Sequence, residues 1–199
     1  MRQILKRKKA IGFGLLLIVL VAFYFSLPKV LFQNPYSTVV YDKHDELLGA
    51  RIAADGQWRF PPKGNLPESY KAAVIQYEDK HFYVHPGINP FSIARALWVN
   101  LKTGQKKQGG STITMQVVRM ALENQPRTYW QKVKELVLAV RIECAYSKDE
   151  ILGLYAAHAP FGGNVVGIEA AAWRYFSRPI DQLSQAEYAL LAVLPNAPS

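Results

Sequence analysis

One stretch constrains this chain more than any other: AIGFGLLLIVLVAFYFSL, Ala10 to Leu27, which carries no charge. About 18 consecutive apolar residues suffice for a helix to cross a bilayer. No polar face interrupts the run, which argues against a helix buried in a protein core. Arg2, Lys6, Arg7, Lys8 and Lys9 precede it with no acid among them. The positive-inside bias then predicts a cytoplasmic N-terminus and export of the remaining chain. A cleaved signal peptide would have a shorter apolar stretch and a small-x-small cleavage site, whereas this run ends in FSLPKVLF. The expected organisation is a basic cytoplasmic tail over 1–9, a transmembrane anchor over 10–27 and one exported domain over 37–199.

The tail also accounts for much of the charge. The 199 residues include 24 basic and 15 acidic side chains, net +9, with five of the positive charges in the first ten residues. Because the excess is concentrated there, nucleic-acid binding is excluded as the meaning of the high pI. Half of the composition is hydrophobic, enough for a compact domain with its own core. A single cysteine, Cys144, forbids an intrachain disulfide. Its helical spacing from Val133, Leu136, Val137 and Val140 predicts a buried thiol, with no neighbouring histidine or basic helix start to activate it.

Beyond a connector over 28–35, the apolar clusters Val39–Tyr41 and Leu47–Ile52 flank a polar DKHDE segment. That pattern predicts a small β-hairpin within 37–60. From Glu68 the period becomes helical, with Tyr70, Ala73, Val74 and Tyr77 on one stripe. Asn89-Pro90 reads as an N-cap followed by proline in the first helical position. Phe91, Ala94, Leu97, Trp98 and Leu101 recur after it, up to the basic loop TGQKKQGG, and a further helix is expected over about 111–122. Three Ser/Thr-x-x-Glu/Gln capping boxes come next, Thr128 with Gln131, Ser147 with Glu150 and Ser184 with Glu187. Between the last two lies the glycine-rich APFGGNVVG and then IEAAAWRYF, another helix. Apart from the hairpin, the domain reads as almost all helix.

Three segments concentrate chemistry: EDKHFYVHPG over 78–87, QGGSTITMQ over 108–116 and QKVKE over 131–135. Glu78 closes a helix just before a turn, and Glu135 shares a helix side with Lys132. Two carboxylates on separate elements, with cations and hydroxyls between them, suit glycosyl transfer. One carboxylate takes the proton of an attacking hydroxyl, and cations and hydroxyls stabilise an anionic leaving group. Singly, each signal has a plainer reading: a solvated helix end, a surface ion pair worth little, or helix caps at Ser111 and Thr112. His81, His85 and His158 show no zinc spacing. Phosphate-loop, nucleophile-elbow and dinucleotide motifs are absent.

Together and in this order, the segments resemble the signatures of the peptidoglycan glycosyltransferases, glycosyltransferase family 51. EDKHFYVHPG resembles Glu-Asp-x-x-Phe-x-x-His-x-Gly, and GGSTITMQ matches Gly-x-Ser-Thr-x-Thr-x-Gln. QKVKE stands in the place of Arg-Lys-x-x-Glu, KDEILGLYAA resembles Lys-x-x-Ile-Leu-x-x-Tyr-x-Asn, and AVLPNAPS resembles Leu-Pro-x-Ala-Pro-Ser. APFGGNVVGIEAAAWRYF and YEDKHFYVHPGINPFSIARA are most similar to the penicillin-binding protein 1C branch. The resemblance implies a mainly α, lysozyme-like glycosyltransferase domain with a small N-terminal β-hairpin and one N-terminal transmembrane helix. It also implies a place on the outer face of a bacterial cytoplasmic (inner) membrane, with lipid II and the growing glycan strand as substrates.

By the same resemblance Glu78 is the base and Glu135 the second catalytic carboxylate, beside the donor diphosphate. Lys132, Ser111, Thr112, Thr114 and Gln116 hold diphosphate and sugar, while Asp79, Phe82, His85 and Gly87 shape the site. Phe91, Leu97, Trp98 and Leu101 suit a membrane-facing jaw or plain core packing, and Lys102, Lys106 and Lys107 suit lipid phosphates. No cofactor is required by the residues, a magnesium or manganese ion beside Glu135 being the one metal the resemblance admits. Cell-wall synthesis proteins are the expected macromolecular partners.

The sequence departs from the family pattern in three places. Gln131 replaces the arginine of Arg-Lys-x-x-Glu, with Arg127 and Lys134 as the nearby cations. Ala157 replaces the asparagine of Tyr-x-Asn, and the chain stops at Ser199 before further motifs, as a fragment or truncated product would. Two other functions remain, the first of them permitted by these departures. A non-catalytic lipid II-binding scaffold would bind without polymerising, and a lysozyme-like hydrolase would release soluble muropeptides.

Overall fold

The computed structural model describes residues 2–104, 109–123, 125–126 and 128–196. Lys106, Lys107, Arg127 and the last three residues of AVLPNAPS lie outside the described residues. The chain divides into two compact units, 1–31 and 32–199.

The first unit is one helix, α1 (Arg2–Tyr24). It does not coincide with the expected anchor over 10–27. It starts inside the basic cluster and stops three residues before Leu27. At 1.5 Å per residue its uncharged part, residues 10–24, rises only about 22 Å against a hydrocarbon core of roughly 30 Å. Among the described residues, no helix is long and apolar enough to cross a membrane.

Among the described residues, the second unit is mainly helical with two small sheets. β1 (Thr38–Tyr41) and β2 (Leu47–Arg51) form the expected antiparallel hairpin. Its turn is built by Asp42, whose carboxylate accepts from the backbone N–H groups of His44 and Glu46. A second sheet was not expected. β3 (Trp58–Arg59) lies parallel to β5 (Val165–Val166), which pairs antiparallel with β4 (Pro160–Gly162).

Among the described residues, seven α-helices belong to the unit: α2 (Glu68–Glu78), α3 (Pro90–Thr103), α4 (Ile113–Ala121), α5 (Tyr129–Glu143), α6 (Lys148–His158), α7 (Ile168–Phe176) and α8 (Gln185–Val193). Local chemistry explains their starts. Asn89 caps α3 by accepting from the Ser92 N–H at 3.0 Å, with Pro90 in the first helical position. Ser147 and Ser184 complete capping boxes with Glu150 and Glu187. In the third, Thr128 accepts from the Gln131 N–H, and among the described residues no return bond from the Gln131 side chain completes the box.

α4 packs against both α5 and α6, and α2 against α8. The core between them holds Tyr70, Val74, Phe82, Ile113, Met115, Ile142, Ile151 and Tyr155, each no more than 1% exposed. Of the two readings of the α3 stripe, core packing does not hold for Phe91, Trp98 and Leu101, which are 87%, 71% and 81% exposed; Ala96 is buried, and the Leu97 side chain lies outside the described residues.

Candidate active site

The first chemical segment begins where α2 ends. Tyr70 and Val74 bury the face of α2 that leads to Glu78, its last residue. Asp79 breaks the helix at φ −158°. Its buried carboxylate Oδ2 accepts from His85 Nε2 at 2.9 Å and from the Ile113 N–H at 3.2 Å. Asp79 thus ties the turn to the first residue of α4, where a carboxylate also meets the positive end of the helix dipole. Phe82 is fully buried, with the Lys148 ammonium 4.4 Å from its ring centroid.

Gly87 explains the turn itself. Its φ is +84°, and a Cβ there would fall 2.7 Å from the Ala139 carbonyl oxygen of α5. Only glycine permits that backbone and that approach together. The Gly87 carbonyl in turn accepts from the Thr112 hydroxyl at 2.6 Å. The mixture of residue types in EDKHFYVHPG therefore fastens α4 and α5 behind a part-exposed Glu78.

α4 starts two residues after the expected Ser111, because Thr112 is its cap and accepts from the Met115 N–H at 3.1 Å. Thr114 is buried and donates to Glu143 at 2.5 Å. Lys148 holds the same carboxylate and also donates to the His85 carbonyl, both at 2.8 Å. Gln116 reaches the opposite way, and its Nε2 donates to Glu78 Oε2 at 2.7 Å.

α5 presents a face that its sequence disguises. The buried residues are Glu135, Ala139 and Ile142. Val133 and Val137 are 48% and 46% exposed, and Cys144 is exposed. The expectation of a buried thiol fails because the apolar stripe chosen for it faces away from the core. Glu135 is 6% exposed. Lys132 Nζ bridges outward from it, 3.2 Å from Glu135 Oε2 and 2.9 Å from the Ser111 hydroxyl.

The structure therefore gathers the named residues into two clusters joined by α4: Glu78 with Gln116, and Ser111 with Lys132 and Glu135. Thr112, Thr114, Asp79, Phe82 and His85 lie beneath as buried supports. Among the described residues, no group of three or more His, Cys, Asp and Glu is placed to hold a metal ion. Glu135 has a lysine as its close partner and Asp79 is spent on two donors, so the donor set does not fit a divalent cation, and no step is routed through one. Sequence reasoning missed Glu143 and Lys148. The two lie five residues apart across the turn between α5 and α6, an offset outside the i, i+3 and i, i+4 spacings that mark an ion pair within a helix.

A second polar region lies apart from these clusters. Glu169, at the start of α7, is 6% exposed, and burial pushes its carboxyl up to about 7 despite the Lys63 N–H at 3.3 Å. It borders a cavity of about 50 Å³ lined also by Phe60, Leu66, Gly153 and Ala157. His158 stacks on Phe32 with centroids 3.6 Å apart, and burial, helped by the nearby Arg59 charge, pulls its pKa down to about 4.

Residues 46–199 match the transglycosylase family along their whole length. This chain belongs to that family. Among its relatives, penicillin-binding protein 1C of Escherichia coli is 49% identical over 147 residues, 73% of this chain and 19% of that protein. Penicillin-binding protein 1A of Neisseria lactamica is 37% identical over 190 residues, covering 94% of this chain and 24% of that protein. A putative transglycosylase of Cupriavidus necator is 44% identical over 70% of this chain and 60% of its own length. The chain thus spans about a quarter or less of the two penicillin-binding relatives. The transglycosylase match begins inside the β1–β2 hairpin and includes every candidate site residue.

Proposed function

We propose that this transglycosylase-family chain is a membrane-anchored peptidoglycan glycosyltransferase that polymerises lipid II into β-1,4-linked glycan. Glu78 is the base. As the acceptor sugar's 4-hydroxyl oxygen attacks the donor's anomeric carbon, its proton passes to the Glu78 carboxylate. The new C1–O4 bond forms while the bond from C1 to the diphosphate oxygen breaks, and polyprenyl diphosphate leaves with that electron pair. Attack from the face opposite an α-linked diphosphate inverts the anomeric centre. A carboxylate is a weak base for an alcohol, so proton transfer accompanies bond formation. Lys132, oriented by Glu135 and Ser111, balances the charge gathering on the leaving group.

The observation that carries this reading is the role of α4. Gln116 grips Glu78, and Ser111, just before the helix, grips the Lys132–Glu135 pair. One short helix thereby holds a base and a cation site in a fixed relation. Membrane attachment through α1 is supported by the basic residues that precede its apolar run and by exposed apolar side chains from Leu15 to Val21. The exposed Phe91, Trp98 and Leu101 supply a second apolar surface suited to lipid.

Extension of fluorescent lipid II tests the proposal. The parent protein lengthens the glycan, and Glu78→Gln is expected to lower the rate at least about a hundredfold, the usual size of a general-base contribution, with an unchanged circular-dichroism spectrum. Polymerisation by that variant at the parent rate would remove Glu78 from its role. Release of soluble muropeptides by the parent would favour a hydrolase instead.

A further inference from the structure

Glu143, the last residue of α5, lies outside every motif, yet four elements meet on its side chain. Thr114 of α4 donates to its Oε1 at 2.5 Å. The Lys148 ammonium, at the start of α6, lies 2.8 Å from each of its carboxylate oxygens. Its Cγ packs against the 79–87 turn, where a Cβ on Gly87 would fall 2.8 Å from it. Lys148 also donates to the His85 carbonyl of that turn and faces the Phe82 ring. The pair is nearly buried, with 9% of the Glu143 side chain and 20% of the Lys148 side chain exposed. Burying an ion pair gains little stability over apolar side chains of the same size. What this pair supplies is direction, because charge-assisted bonds are short and demand alignment.

We infer that Glu143 is a positioning residue for Glu78, acting through the rotation of α4. Thr112 and the Ile113 N–H fasten the start of α4 to the 79–87 turn. Thr114 and Gln116 then bond outward from the body of the helix, about 200° apart around its axis. Thr114 points back to Glu143, and Gln116 points forward to Glu78, 2.7 Å from its Oε2. A helix held from nearly opposite sides cannot turn without breaking one of the two bonds. The ion pair with Lys148 keeps the rear acceptor in place, so the grip of Gln116 on the base keeps its direction. Thr114 is fully buried and gives its hydroxyl to Glu143, so its part is to pass on this constraint, not to touch substrate. The inference rests on Glu78 being the base.

The test is steady-state polymerisation of fluorescent lipid II by variants along this line. Thr114→Val removes the hydroxyl, keeps the shape and leaves the Glu143–Lys148 pair intact. Its kcat falls about tenfold, the scale of losing one hydrogen bond to a charged group, with KM unchanged. Thr114→Ser restores the donor and recovers most of the parent kcat. Glu143→Gln lowers kcat further, because it also leaves Lys148 without its countercharge; the Thr114 arms stand even if that variant does not fold. In a Gln116→Met background, Thr114→Val costs little more, since the constraint then has no grip left to direct. A merely structural bond would shift Tm and leave kcat and KM at parent values, which overturns the inference. A raised KM with unchanged kcat overturns it too, by making Thr114 a substrate contact. So does a serine variant as slow as the valine, or a valine effect undiminished without Gln116. If Glu78→Gln is inactive while Thr114→Val works like the parent, only the role of Glu143 falls. If Glu78→Gln retains parent activity, the base assignment falls and the inference with it.

Discussion

Asp79 and Glu169 are both carboxylates with less than a tenth of their surface exposed, yet the fold treats them differently. Asp79 receives two donors, His85 Nε2 and the Ile113 N–H, and lies in a network that continues through Thr112, Gly87, Thr114, Glu143 and Lys148. Glu169 receives one long bond from the Lys63 N–H and borders a void. The difference tracks the motifs. Around Asp79 the family signature is unbroken. Beside Glu169 the side chain of Ala157 stands where the signature has an asparagine, and Ala157 lines the same void. A missing amide is thus visible as empty space next to a carboxyl pushed up to about 7.

Gly87→Ala tests the closed side most severely. The residue would carry φ +84° and drive a methyl into the Ala139 backbone at 2.7 Å, which no side-chain rotation relieves. A loss of at least about 3 kcal/mol is expected from strain and clash combined, seen as a fall in Tm of roughly 10 °C for a chain of this size. A Tm within a degree of the parent would mean that the turn is free to move off α5, and the contrast with Glu169 would lose its basis.

Glu169→Gln probes the open side. The folded-state pKa lies above the ordinary carboxyl value of 4.5, so the folded state binds the proton more tightly than the unfolded chain. The stability tied to that proton is present below about pH 4.5 and is lost as pH rises through about 7. Denaturant unfolding should therefore find the variant close to the parent at pH 4.5 and more stable at pH 8, by at most about 3 kcal/mol. The pH dependence left in the variant should run the other way. His158 is depressed to about 4, so its contribution is full above pH 6.5 and lost as pH falls toward 4. Equal gains at pH 4.5 and pH 8 would show that Glu169 is not the group responsible.

A smaller effect is expected from Ala157→Asn, which restores the amide of the family pattern. Filling the void and giving Glu169 a donor should raise stability at pH 8 by about 1 kcal/mol, measured by the same unfolding curves. A loss of stability would mean that the space is too tight, since overpacking costs about 1–3 kcal/mol.

Elements with local causes were legible in the sequence. Asn89-Pro90, Ser147 with Glu150 and Ser184 with Glu187 announce their helices through short-range bonds that need no tertiary partner. The second sheet was not legible, because two-residue strands such as Trp58–Arg59 and Val165–Val166 have no period to read. α5 misled for a different reason. Its buried face reads Glu135, Ala139, Ile142, while Tyr129, Trp130, Val133 and Val137 imitate a core stripe on the exposed face. The clusters around Glu78 and Glu135 came from motif order. What the motifs did not reveal was the support beneath them: Glu143 and Lys148 acquire meaning only once α4, α5 and α6 are packed.

Cys144 is the lone thiol of the sequence, and it is exposed at the end of α5. The helix that bears Lys132 and Glu135 near its start therefore carries a unique attachment point at its far end. A maleimide fluorophore or nitroxide placed there, with no engineered residue, would report any displacement of α5 as substrate is loaded and product strand is released.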